Sequence, residues 1–123
     1  MPTRSDPSDE VEAFLPLPTA VFHILVALAD RERHGYSIMQ DVSARTDGKV
    51  RLSAGTLYSA IRRMLEQGLI EELRESPDPA SDDERRRYYG LTGLGRDVAA
   101  AEARRLSDML AQARATGLIP RKL

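Results

Sequence analysis

Leu52-Ser-Ala-Gly-Thr-Leu-Tyr-Ser-Ala-Ile-Arg-Arg-Met-Leu-Glu-Gln-Gly-Leu-Ile70 is the stretch around which the rest of the chain is arranged. Ser53 is placed to cap a helix, because its hydroxyl can accept a bond from a first-turn N–H. Leu57, Ile61, Met64 and Leu65 recur at i, i+4, i+7 and i+8, one apolar stripe of an amphipathic helix. The opposite face carries Gly55, Thr56, Ser59, Arg62 and Arg63, with Tyr58 on its flank. Small residues at the N-terminal end let a helix approach base edges, and guanidinium groups further along reach phosphates or purines. Gly68 then closes the helix, since glycine takes the left-handed conformation without strain. The pattern fits a recognition helix. Yet an amphipathic helix with two arginines on its wet face is ordinarily just a surface helix, so the flanking sequence has to decide.

Upstream, Thr19 to Asp30 is nearly all apolar, with Val21, Phe22, Ile24, Leu25, Val26 and Leu28. A helix apolar round most of its circumference is buried on more than one side, part of it against a partner subunit. His23, inside this run, reads as a core or interface histidine. Arg31-Glu32-Arg33 reads as a charged turn. His34-Gly35-Tyr36 opens a second helix running to about Arg45, with Ile38, Met39 and Val42 on its inner face. Thr46-Asp47-Gly48 is a turn. Two helices, a turn and a third helix make helix-turn-helix order.

Downstream of Gly68 the period changes to two. Leu69, Glu71 and Leu73 point one way, and Ile70, Glu72 and Arg74 the other. Residues 76–83 are a loop by composition. Arg85 to Leu91 returns as a second strand, with Tyr89 and Leu91 toward the core, so the two strands form a hairpin, the wing. In that phase Arg85 and Arg87 share one face, and Arg86 and Tyr88 the other. The loop carries Asp78, Asp82, Asp83 and Glu84. Phosphate would repel those carboxylates, so the arginines rather than the tip make any contact.

The two ends differ. Residues 1–15 form an acidic stretch read as a flexible tail, with at most a short turn of helix from Glu10 to Leu15. Thr92 starts a long helix from Gly93 to about Thr116, ending at Gly117. Leu94, Val98, Ala101, Leu106, Met109, Leu110 and Ala113 form an imperfect apolar stripe along it. At ~1.5 Å rise per residue it reaches roughly 35 Å, longer than the small domain it leaves. An apolar stripe with nothing of its own to cover is buried by association. A symmetric homodimer is the economical arrangement, with Phe22 and Leu25 of the first long helix joining the stripe. The expected layout is a tail over 1–15, a winged helix-turn-helix over 16–92, and a dimerisation helix and tail over 93–123. The fold class is mainly α with a small β-hairpin.

Composition narrows the function. The 123 residues include no cysteine and no tryptophan, which excludes a disulfide framework, thiolate chemistry and an indole-stacking site. No apolar run approaches the ~20 residues that span a bilayer. The start of the chain lacks a basic-then-apolar signal pattern, so a cytoplasmic location is expected and a membrane partner is not. The net charge of −1 hides an asymmetry, with −3 over residues 1–20 and +2 over the remainder. His23 and His34 stand at no ligand spacing. Gly90-Leu-Thr-Gly-Leu-Gly95 lacks the full dinucleotide spacing and reads as a turn into the last helix. No metal, cofactor or catalytic constellation is expected.

Three stretches together resemble the PadR family of transcriptional regulators. They are His34-Gly35-Tyr36, Leu52-Ser-Ala-Gly-Thr-Leu-Tyr58 with Gly68-Leu-Ile70, and Arg87-Tyr-Tyr-Gly-Leu-Thr92. With their spacing they cover roughly Leu15 to Gly95. The resemblance implies a winged helix-turn-helix, a C-terminal dimerisation helix, and a repressor released by a small-molecule effector. It is similar to the compact branch with a single C-terminal helix. It places Ser53, Gly55, Thr56, Tyr58 and Arg62 at the major groove of double-stranded DNA, and Arg63 on the same face is a further DNA-binding candidate. Tyr36 supports from the helix before, and Arg86 and Arg87 reach the flanking backbone or minor groove. Family members often carry Pro after the Leu-Tyr pair; Ser59 stands there in this chain, implying a straighter helix. Structural roles for the same residues stay open: Ser53 as a cap alone, and Tyr36 and Tyr58 as packing residues. Two functions therefore stand at this point. One is a homodimeric regulator on a palindromic operator. The other is a winged-helix protein-interaction module without specific DNA binding, favoured by the acidic tail and loop.

Overall fold

The computed structural model describes residues 7–73 and 87–120. The elements run α1 (Pro7–Glu12), α2 (Thr19–Asp30), β1 (Arg33–His34), α3 (Gly35–Arg45), α4 (Ala54–Gln67), β2 (Ile70–Leu73), β3 (Tyr88–Leu91) and α5 (Gly93–Ala115). The strands form one antiparallel sheet in the order β1-β3-β2, with Arg33 opposite Tyr89 and Ile70 opposite Leu91. The expected hairpin is thus two-thirds of a small sheet. Its third strand lies where the sequence reads as a charged turn, because two residues are too few to show alternation. Residues 74–86, including the acidic loop, Arg85 and Arg86, lie outside the described residues.

Helix α2 is the centre of the core. Ile24, Leu25 and Ala27 are fully enclosed, with Val21 and Leu28 beside them. They meet Ile38 and Val42 of α3, Leu57, Ile61 and Met64 of α4, Leu69 and Ile70 at the start of the sheet, and Val98 of α5. Burying each of the larger aliphatic side chains contributes about 1.5–3 kcal/mol. This shared core sets the angle at which α3 and α4 leave the domain.

Helix α4 ends as a Schellman motif. Gly68 takes φ 76°, its N–H donates to the Leu65 carbonyl, and the Leu69 N–H donates to the Met64 carbonyl at 3.0 Å. The chain then turns into β2 with both Leu69 and Ile70 buried. At the far side of the sheet Thr92 caps α5: its hydroxyl accepts from the Gly95 N–H at 3.0 Å and donates to the Gly68 carbonyl at 2.6 Å. A β-carbon on Gly95 would clash with the Leu69 carbonyl, so α5 packs backbone-to-backbone on the end of α4. The glycine-rich run is therefore a helix start, as its sequence reads.

Two expectations change. The tail expected over 1–15 is a helix at Pro7–Glu12 followed by a turn, with Val11, Phe14 and Leu15 half-buried on the core. Three well-spaced apolar residues are enough to hold so short a segment against its neighbours. The stripe read as dimer-facing also divides. Leu25 and Val98 are wholly buried inside the single chain and Ala101 nearly so, which leaves them no surface for a partner. Phe22 and Leu94 are half-buried against the core. Leu106, Met109 and Leu110 remain exposed, and Ala113 partly so. The stripe splits because Glu102 is the last buried residue of α5.

Candidate nucleic-acid interface

The first turn of α3 and the first two turns of α4 lie side by side on one face. His34 is the N-cap of α3, its Nδ1 accepting from the Ser37 N–H at 3.1 Å, and its ring meets Tyr88 edge-on at 5.3 Å. The missing signal for this cap is understandable, since histidine is not among the common capping residues. Ser53 caps α4, accepting from the Thr56 N–H at 3.1 Å and donating to the Thr56 hydroxyl at 3.0 Å. The Ser53 hydroxyl is thereby used by the fold, while the Thr56 hydroxyl proton stays free to donate.

The outward face of α4 is as the sequence predicts. Gly55, Thr56, Ser59, Arg62 and Arg63 are exposed, and a β-carbon on Gly55 would touch nothing within 4 Å. Glu66 is the one carboxylate on that face, at its C-terminal end. The N-terminal end is therefore the part suited to a polyanion, helped by the helix dipole. Neither Arg62 nor Arg63 has an ion-pair partner among the described residues.

Between α3, α4 and β3 lies a cleft of about 520 Å³ lined by His34, Tyr36, Tyr58, Arg62, Arg87 and Tyr89 among others. Tyr36 is 54% exposed and Tyr58 47%, so the packing role held open for them does not bury them. Arg87 on the opposite wall lies 3.4 Å from Glu72 and is itself largely exposed. Tyr89 closes the base and is buried, and burial, with Glu72 and Tyr58 nearby, pushes its phenol above the usual range. Tyr89 therefore stays a neutral donor. Of the expected residues, Tyr36, Tyr58, Arg62 and Arg87 come together on the cleft; Ser53, Gly55, Thr56 and Arg63 lie along the adjoining face of α4. Arg86 lies outside the described residues.

A charge cluster that sequence reasoning missed braces this face from behind. Arg33 donates to the Ala27 carbonyl at 2.9 Å and to Ser37, and pairs with Asp30 at 2.9 Å and Asp41 at 3.0 Å. Arg45 pairs with Asp41 at 2.6 Å and reaches Asp30 at 3.3 Å. Together they fasten the end of α2 to β1 and α3. The only sequence signal was Asp41 four residues before Arg45.

Comparison with known proteins agrees with this architecture. Residues 24–101 match the model of the transcriptional regulator PadR-like family. An uncharacterised protein of Lysinibacillus sphaericus is 33% identical over 73 residues, 59% of this chain, and the match spans only 64% of that protein's length. Transcriptional regulator Rv3488 of Mycobacterium tuberculosis is 33% identical over 87 residues, covering 71% of this chain and 75% of that protein. Among solved structures, a PadR family transcription regulator from Clostridium difficile superposes with a TM-score of 0.66 at 24% identity, over 83% of this chain and 100% of that one. The family match covers well over half of the chain and runs through every element from α2 to the first half of α5: this protein belongs to the PadR-like family of transcriptional regulators.

Proposed function

We propose that the protein is a homodimeric, sequence-specific DNA-binding repressor acting in the cytoplasm, released from a palindromic operator by a small-molecule effector. What carries this reading is the face built by α3 and α4. Its exposed groups are small residues, hydroxyls, two tyrosines and guanidiniums without an ion-pair partner among the described residues, and the one carboxylate on the outward face of α4 sits at the end away from the helix N-terminus. The N-terminal half of α4 enters the major groove, with Gly55, Thr56 and Ser59 nearest the bases and Arg62 and Arg63 on bases or phosphates. Tyr36 supports from α3, and Arg86 and Arg87 reach the flanking backbone or minor groove.

Two copies associate through the C-terminal half of α5, whose Leu106, Met109 and Leu110 are otherwise in water. The two recognition helices then enter successive major grooves, about 34–36 Å apart. The effector sits where α2 and α5 of the two subunits meet, and acts by binding one spacing of the two heads better than the other. Among the described residues no helix is long and apolar enough to cross a membrane.

Fluorescence anisotropy on DNA from upstream of the gene, against a scrambled control and across a salt series, tests the reading. Selective binding with two chains per site, weakening steeply with salt, is the expected result, and the log–log slope counts the phosphate contacts. Equal, feeble binding to both DNAs at low salt, unchanged with a longer upstream fragment, would instead support the protein-interaction module.

A further inference from the structure

We infer that Gly35 is a positioning residue for DNA binding, whose missing β-carbon lets the Tyr58 phenol lie against the first turn of α3. A β-carbon built on Gly35 would fall 2.5 Å from the Tyr58 hydroxyl oxygen, 2.8 Å from Cζ and 3.0 Å from Cε1. Real β-carbons essentially never approach heavy atoms so closely, so any side chain at position 35 displaces the phenol. The backbone does not ask for glycine here. The positive-φ glycines among the described residues are Gly48, Gly68 and Gly117, and Gly35 is not one of them. Position 35 is instead the first residue of an α-helix, where alanine is the better helix former. Helix stability thus argues for alanine, and the three nearest atoms, all of Tyr58, argue for glycine.

Tyr58 is not held there by burial in the core, since it is 47% exposed. Its ring bridges two helices: it grows from the second turn of α4 and rests on the N-terminal turn of α3, next to Tyr36. That contact forms one wall of the 520 Å³ cleft and aims Tyr58 together with Tyr36, Arg62 and Arg87. An outward swing of the phenol would reshape that wall of the cleft and move the hydroxyl off the surface that faces DNA. A hydrogen bond misplaced by an ångström is largely lost, because such bonds weaken steeply with distance and angle. Gly35 therefore acts through Tyr58, with no contact to DNA required of it.

The inference rests on the DNA-binding reading, and the experiment separates the two. Anisotropy on the operator fragment is measured for the wild type, Gly35→Ala, Tyr58→Ala and the double variant, at a salt concentration where Tyr58→Ala still binds. Failure of the wild type to bind selectively removes the DNA reading itself. Given selective binding, Gly35→Ala should weaken it about 10-fold, the size of one misplaced polar contact to DNA, with the melting temperature held or raised. In the Tyr58→Ala background the same change should cost less than a factor of two, since the group it displaces is gone. An equal loss in both backgrounds, or no loss in either, overturns the inference. Should Gly35→Ala alone fold poorly, removing Tyr58 must restore the melting temperature; a double variant that stays unfolded also overturns it.

Discussion

Helices α4 and α5 both carry an apolar stripe, and the domain treats them differently. Helix α4 hides Leu57, Ile61 and Met64 completely inside its own chain and turns glycine, hydroxyls and guanidiniums to the outside. Helix α5 hides Val98 and Ala101, then leaves the domain with Leu106, Met109 and Leu110 uncovered. A small polar and cationic face is at ease in water and complements a polyanion, whereas an apolar face is costly in water and complements another apolar face. Side-chain chemistry thus separates the surface proposed for nucleic acid from the one proposed for protein. The exposed large hydrophobic residues sort the same way: Tyr36 and Tyr58 on the cleft, the remainder on or just beyond α5. The two surfaces are not independent, because Thr92 and Gly95 clamp the start of α5 onto the end of α4.

Breaking that clamp has the largest expected effect. Gly95→Ala drives a methyl into the Leu69 carbonyl, which cannot swing aside as a side chain can. Overpacking of this kind should cost about 3 kcal/mol of stability in urea unfolding. Gly55→Ala is the control on α4. With nothing within 4 Å of the new methyl, it should leave stability level or raise it by up to about 1 kcal/mol through helix propensity. Equal destabilisation by the two substitutions would show that the joint is not rigid.

Next come substitutions that remove one surface and spare the other. Leu106→Asp with Leu110→Asp puts two carboxylates on the exposed face of α5, where each leucine is 38% exposed and neither belongs to the core cluster. Sedimentation should show self-association weakened by at least about 100-fold, roughly 2.7 kcal/mol, with operator binding falling in consequence. Arg62→Ala should do the reverse: about 10- to 30-fold weaker binding to the operator, a lower salt slope, and an unchanged sedimentation profile. Loss of association in the Arg62 variant would refute the division of labour between the two helices.

Much of this was legible because it rests on short-range rules. The Ser53 cap, the left-handed Gly68 and the stripe of α4 each follow from residues within one or two turns. So does the start of α5 at Thr92. What the sequence concealed depends on residues far apart in the chain. Periodicity alone cannot say how far along α5 the domain reaches, so Val98 and Leu106 look alike until α2 is packed beside one of them. The Arg33 cluster joins residues from Ala27 to Arg45 across three elements, and strand β1 exists only because Tyr88 and Tyr89 pair with it. The Gly35–Tyr58 contact spans two helices and leaves no local trace. Resemblance proposed the residues of the interface; tertiary packing decided which of them the fold had already used.

The smallest expected effect lies at the boundary between the two halves of α5. Glu102 is 2% exposed, and Arg105 holds it with bonds of 2.6 and 2.9 Å. The Arg105 bond holds the carboxyl below its usual range, opposed by burial and assisted by the Leu17 backbone. A group depressed on folding contributes stability that is fully present above its unfolded value, about 4.3 for glutamate, and lost as pH falls through the folded value. Arg105 is a third exposed, so water screens the pair and the contribution is modest. Glu102→Gln should therefore melt slightly below the wild type at neutral pH, and the gap should close only below about pH 4, where the wild-type carboxyl takes up its proton. A glutamine variant that melts above the wild type at neutral pH would mean that the carboxyl titrates above its usual range, so that burial outweighs Arg105. A gap constant down to acid would mean that the ionised form adds nothing, and that α5 is held at its exit from the domain by packing alone.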